Sequence, residues 1–330
     1  MLNTITASLN PILSLFICIA IGFALKKCRL LPDEAGTVMA KLETWVFCPA
    51  LSFITMARFF TVDTVAAHSA NLTVATISVA LLVLCGTVLS RVLVKEKSYE
   101  RGIYAYALAF ANCGYFGDPM VLSLFGEEAL AYYKVYCLPV SIAIYTWGLS
   151  NLVPSGNKGG ILKKLINPPT VATLIGMAAG LIFSDFDAIC PEAVIGVFDS
   201  LKVCMGPVAM LLAGFTIARY DFVGMLKQGK VYIATALRLV ILPLILIPAL
   251  FGIKELLNLS GLFSIDNTVL YLAFFTIASP LGLNTVVFPE AYGENPKTGA
   301  SMAMISHTLC IISIPLLLAL LEAVFGTIGI

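Results

Sequence analysis

Charge is what this sequence has least of. Only 12% of its 330 residues are Asp, Glu, Lys or Arg, against roughly a quarter in ordinary soluble domains, and 59% are hydrophobic. A chain so poor in charge cannot cover a water-facing surface, which excludes a soluble globular protein and leaves a polytopic membrane protein. The formal net charge of +1 offers no basic footprint for nucleic acid. Nine cysteines occur without metal-ligand spacing such as C-x-x-C. Most sit in apolar runs as small hydrophobes, Cys190 alone falling in an exterior loop, so neither a metal nor a cofactor is expected. No basic region precedes the first apolar run, whose first charge is Lys26, so a retained membrane helix is expected rather than a cleaved signal. The phosphate loop G-x-x-x-x-G-K-[ST] is missing, as are H-E-x-x-H and G-x-S-x-G, which argues against direct drive by ATP and against the hydrolases that use those motifs.

What is present is a series of apolar runs of roughly 20 residues, the length a bilayer core demands. Ten spans are expected: 9–25, 35–59, 67–92, 102–124 and 129–152, then 169–183, 193–217, 231–251, 268–288 and 298–325. They form one integral domain, 1–330, with halves 1–153 and 154–330. Loops after odd-numbered spans carry fourteen Lys or Arg residues, and loops after even-numbered spans only Arg58 and Lys254. The bias places the odd loops in the cytoplasm and both termini outside the cell membrane. Landmarks recur between the halves: Asn10-Pro11 and Asn167-Pro168, then Pro49 and Pro207, then Gly117 and Gly282. Five spans per half implies an inverted repeat.

The fourth and ninth spans are interrupted. Asn112-Cys113-Gly114 through Gly117-Asp118-Pro119 places two glycines, an aspartate and a proline inside an apolar run, and Ser279-Pro280 with Gly282 and Asn284 does so in the second half. Proline removes an N–H and disfavours helix before it, so both helices must break. At membrane depth freed backbone is tolerated only inside protein or beside a wet cavity, and paired breaks mark a transporter's substrate site. Half-helix N-termini would stabilise a carboxylate, with the Asn112 and Asn284 amides as further donors. Asp118 has two readings, a cap on the second half-helix or a coupling carboxylate. His307 is either a proton relay or a neutral core histidine. Lys134 and Arg238 each either snorkel outward or balance an anion's charge. Aligning Pro49 with Pro207 sets Lys41 opposite Asp199 and Glu43 near Lys202, which suggests structural ion pairs between the halves.

Asn112-x-x-x-x-Gly117-x-Pro119, Ala278-x-Pro280-x-Gly282, Val287-Phe288, Tyr292, Pro296 and Ser301 resemble the auxin efflux carrier family, which includes bacterial malate and malonate permeases. The resemblance spans essentially the whole chain. It implies two inverted five-helix repeats, similar to the sodium–bile acid symporter fold. Helices one, two, six and seven would form a scaffold that often dimerises, the rest a mobile domain carrying the crossover. The short Pro154–Pro168 connection resembles the bacterial type. Asp118 and Asn284 depart from the family's usual residues.

The expected activity is secondary transport of a small organic acid, coupled to a proton or sodium ion. The alternatives are an ion-coupled carrier of a neutral or zwitterionic substrate, and a ligand sensor without flux. Gly114–Asp118 faintly resembles the G-x-G-D of intramembrane aspartyl proteases, but its spacing differs, and an enzyme is not expected.

Overall fold

The computed structural model describes residues 2–153, 168–261, 263–292, 294–295 and 297–326. The Pro154–Asn167 connection, with the helix cap expected at Asn167, lies outside them, as does Pro296. The described residues are helical, with no strand beyond one isolated bridge. The main helices are α1 (Leu2–Lys27), α2 (Ala35–Phe59), α3 (Val65–Leu93), α4 (Tyr99–Ala109), α5 (Cys113–Leu152) and α6 (Pro168–Phe183). They continue with α7 (Glu192–Ile217), α8 (Gly229–Leu259), α9 (Thr268–Ala278), α10 (Asn284–Tyr292) and α11 (Lys297–Phe325). Seven of these, α1, α2, α3, α5, α7, α8 and α11, are long and apolar enough to cross a membrane, while α6 and α9 are shorter apolar helices. Eight of the expected spans fall on helix, the eighth running on to Leu259, while the fourth and ninth are helical except at 110–112 and 279–283.

Prolines shape these helices. Wide π-type turns occur at Glu43–Phe47, Cys113–Gly117 and Leu237–Ile241. Each holds the residue four places before a proline: Trp45 before Pro49, Tyr115 before Pro119, Leu239 before Pro243. A proline ring clashes with that carbonyl and cannot bond to it, and widening the turn relieves both problems. A fourth such turn, Ile144–Gly148, has no proline to explain it. At Gly126 (φ 87°, ψ −175°) α5 doubles back into a separate helix, a conformation open to glycine because it has no Cβ.

Packing divides the helices into two groups. α1 lies chiefly against α7, and α2 against α6 and α7, while α3 packs on α4 and α5, and α8 on α9 and α11. The α1–α7 contact brings backbones together: a Cβ on Gly214 would stand 1.9 Å from the Ile19 carbonyl oxygen. Small residues at such seams gain dispersion contacts that lipid does not offer.

Candidate functional site

The two interruptions meet. α4 ends at Ala109 and α9 at Ala278, and the extended segments that follow cross each other. Ala111 and Leu281 form an antiparallel bridge, and the Asn112 N–H donates to the Pro280 carbonyl at 2.8 Å. The Leu281 N–H donates to Ser306 Oγ at 3.0 Å, and the Asn112 carbonyl accepts from the N–H groups of Phe116 and Gly117. The unwound backbone is thus bonded within protein, as a low-dielectric surrounding requires.

Arg238 explains how the C-terminal ends are held. Its side chain is fully buried. Nη1 donates to the carbonyls of Leu108 (2.9 Å) and Ala109 (3.3 Å), and Nη2 to that of Thr276 (2.7 Å). These are the last carbonyls of α4 and α9, where each half-helix carries partial negative charge. One guanidinium therefore neutralises two negative helix ends at once. It neither snorkels outward nor stands free as a counter-charge.

The N-terminal ends of α5 and α10 border a cavity of about 160 Å³, lined by Asn112, Cys113, Gly114, Asp118, Gly282 and Asn284 among others. That is room for roughly five waters, well below the volume of drug-sized sites, so the occupant is small. Its opposite wall comes from the other helix group, including Ser52 of α2, Thr173 of α6 and Met205 of α7.

Asp118 is not a helix cap: it follows the π-type turn that opens α5, its backbone is helical (φ −56°, ψ −52°) although Pro119 follows, and its carboxylate is ion-paired with Lys134. Lys134 does not snorkel, because that partner lies within the protein. Their side chains are 1% and 10% exposed, so the pair contributes no net charge to the cavity wall. His307 is a buried histidine whose Nδ1 lies 2.7 Å from the Ala303 carbonyl. A carbonyl only accepts, which puts the proton on Nδ1 and leaves Nε2 to accept from the Asn112 amide at 3.2 Å. The Asn284 amide donates to the Tyr106 hydroxyl at 2.9 Å.

The remaining expected site residues stand behind the cavity. Gly117 faces the Tyr133 hydroxyl, and Pro119 packs on Gly206 of α7. Pro280 contributes its carbonyl to the crossing, and Ser279 is buried with its hydroxyl unpartnered.

The ion pairs expected between the halves are not those observed. Lys41 is exposed and forms no ion pair among the described residues. Asp199 is bound by Arg58 (2.9 Å) and Lys202 (2.8 Å), and Glu127 by Lys202 (2.6 Å) and Arg58 (3.4 Å), with Asp187 also on Arg58 (3.0 Å). Alignment by the prolines missed this because Gly126 returns the chain beside α2 and α7 and delivers Glu127 there. Glu43 is fully buried, and neither carboxylate oxygen has a hydrogen-bond partner. Its signal in the sequence was visible, an acid eight residues into an apolar helix, but pairing with Lys202 hid it.

The family described as membrane transport protein matches residues 7–161 and 157–318. An uncharacterized transporter of Methanocaldococcus jannaschii is 22% identical over 316 residues, covering 93% of this chain and 97% of the relative.

Proposed function

This chain belongs to the membrane transport protein family, the auxin efflux carrier family that its motifs resemble, and on that premise we propose that it is a secondary transporter of a small organic anion. The observation that carries the reading is the sorting of helix ends at the crossing. Arg238 takes the negative ends of α4 and α9, and the positive ends of α5 and α10 border the cavity. Several N–H groups at those positive ends already have acceptors, those of Phe116 and Gly117 in the Asn112 carbonyl and those of Thr285 and Val286 in the Gly282 and Leu283 carbonyls. The attraction for an anion is therefore chiefly the partial positive charge of the two helix ends. Because Asp118 is neutralised by Lys134, its charge does not oppose one.

The fold reading behind this is ten spans in two inverted repeats. α4 with the start of α5 makes one broken span, and α9 with α10 the other. The scaffold is α1, α2, α6 and α7, and the cavity lies where the crossing meets it, as alternating access by an elevator motion requires. With odd loops cytoplasmic, Thr170 near the start of α6 and Tyr145 of α5, both lining the cavity, support an opening toward the cytoplasm. The outer side is held by Arg58 and Lys202 of the scaffold gripping Glu127 of the moving group. Both features describe an inward-facing state. Apolar side chains such as Trp45 and Val203 are exposed on α2 and α7, as a lipid-facing surface requires. A homodimer through the scaffold helices in the cell membrane belongs to the proposal by the family resemblance alone.

A zwitterionic substrate is the second reading, because the Asp118–Lys134 pair offers both charges at the cavity wall. Counterflow in proteoliposomes separates the two. Vesicles preloaded with a C3 or C4 dicarboxylate are expected to take up the labelled acid severalfold above protein-free vesicles. Counterflow with amino acids alone would transfer the reading to the zwitterion. Binding without flux would make the protein a sensor.

A further inference from the structure

The charged residues first considered for coupling all have partners: Asp118 and Lys134 hold each other, and His307 has both ring nitrogens engaged. Glu43 does not. It lies eight residues, about 12 Å, into α2, in the first position of a π-type turn, a distortion common at functional sites. The turn packs against α6 and α7, and the carboxylate faces the Ala209 backbone without forming a hydrogen bond.

The titratable groups around it are few. On α2 itself, apart from Lys41, the nearest is Cys48, and from the crossing it is Tyr115. α6 carries no titratable residue among its described positions. On α7, Asp199 and Lys202 are committed to the outer ion network, with Lys202 seven residues, about 10 Å, along the helix from Ala209. Cys204 Sγ bonds the Ser200 carbonyl. Lys41, two residues before Glu43 on α2, is exposed, and among the described residues no cation pairs with Glu43.

An ionised carboxylate buried in this way, with neither hydrogen bond nor counter-ion, is costly enough that the group takes a proton instead. Its place gives that proton a role. Tyr115 lines both the substrate cavity and the narrow space over Ala209, and Cys48, little more than one turn along α2 from Glu43, lines the same substrate cavity.

We propose that Glu43 is a proton-binding site coupled to the anion site through Tyr115. The inference rests on the anion-transport reading above and names its coupling ion. An anion in the cavity repels an ionised Glu43 across a medium that screens poorly, so it binds best when Glu43 is protonated. By reciprocity the anion also holds the proton on Glu43. Because Glu43 stands on the stationary group, it does not travel with the anion. It takes its proton from water on the side where the anion enters and releases it to water on the other side once the anion has left, one proton for each anion carried.

Glu43→Gln tests this, because glutamine keeps the shape and mimics the neutral acid. Counterflow of the dicarboxylate should stay within about twofold of wild type, while accumulation driven by an inward proton gradient should fall about tenfold. Infrared difference spectra at neutral pH should show a protonated carboxyl band in wild type that the variant lacks. Wild-type accumulation in Glu43→Gln, or an infrared spectrum without that lost band, would overturn the proposal while leaving counterflow, and the transport reading, intact. Absence of counterflow in wild type would instead overturn the transport reading, with the infrared comparison still deciding the state of Glu43.

Discussion

Replacing Arg238 with glutamine is expected to lower the unfolding free energy by about 3–5 kcal/mol, the range for truncating a buried charged network. The guanidinium makes three charge-assisted bonds to carbonyls of two different half-helices. Hydrogen bonds to charged groups contribute about 1.5–3 kcal/mol each, and a buried carbonyl left without a donor loses about 1–3 kcal/mol. Glutamine is shorter and neutral, so the ends of α4 and α9 would face each other with their partial negative charges uncompensated. Arg238→Lys should rescue little, because a single ammonium lacks the planar fork that reaches Leu108 and Thr276 together. Unfolding in detergent micelles, followed by circular dichroism, measures the loss. Wild-type stability in Arg238→Gln would show that the crossing is held by its backbone bonds instead.

The second large effect concerns Asp118 and Lys134. Asp118→Asn strands a buried ammonium and Lys134→Met strands a buried carboxylate, and each is expected to destabilise the protein by about 3–5 kcal/mol. The double variant replaces both charges with neutral groups, and its stability should return to within about 1 kcal/mol of wild type, the non-additivity of a coupled pair. Additive losses would mean that the two side chains act separately, and a double-mutant cycle by thermal unfolding distinguishes these outcomes. The same variants bear on substrate charge. Removing both charges leaves the helix ends at the cavity unchanged, so a simple anion should still bind the double variant, whereas a zwitterion should not.

Much of this architecture was legible in the residues themselves. Pro280 and Gly282 lie in the break of the ninth span as their chemistry requires, but the fourth span unwinds just ahead of its glycines, at 110–112. Gly117 and Asp118 are helical because a widened turn accommodates Pro119, and the two breaks are joined by the Ala111–Leu281 bridge. The apolar runs likewise mark helices because bilayer thickness sets their length. Charge pairing was the hard part. A residue's place along a helix tells its depth but not which neighbour it faces, and ion pairs depend on the latter. Lys202 met Glu127 because Gly126 turns the chain, a tertiary event that no alignment of prolines reveals. Arg238 was read as a snorkelling or substrate-facing cation because its acceptors are backbone carbonyls, which carry no signature in sequence. Glu43 was assigned a partner that its own packing against α7 does not provide.

The central claim is that the two crossing segments build one anion site between them. Its most direct measurement is thermal stabilisation of the purified protein by organic acids, compared with Asn112→Ala and Asn284→Ala. A carboxylate at about 100 times its dissociation constant should stabilise wild type by about 2.7 kcal/mol. Each variant, altered in a different segment, should lose most of that shift while folding normally without ligand. Full stabilisation surviving both substitutions would place the site elsewhere and contradict the account.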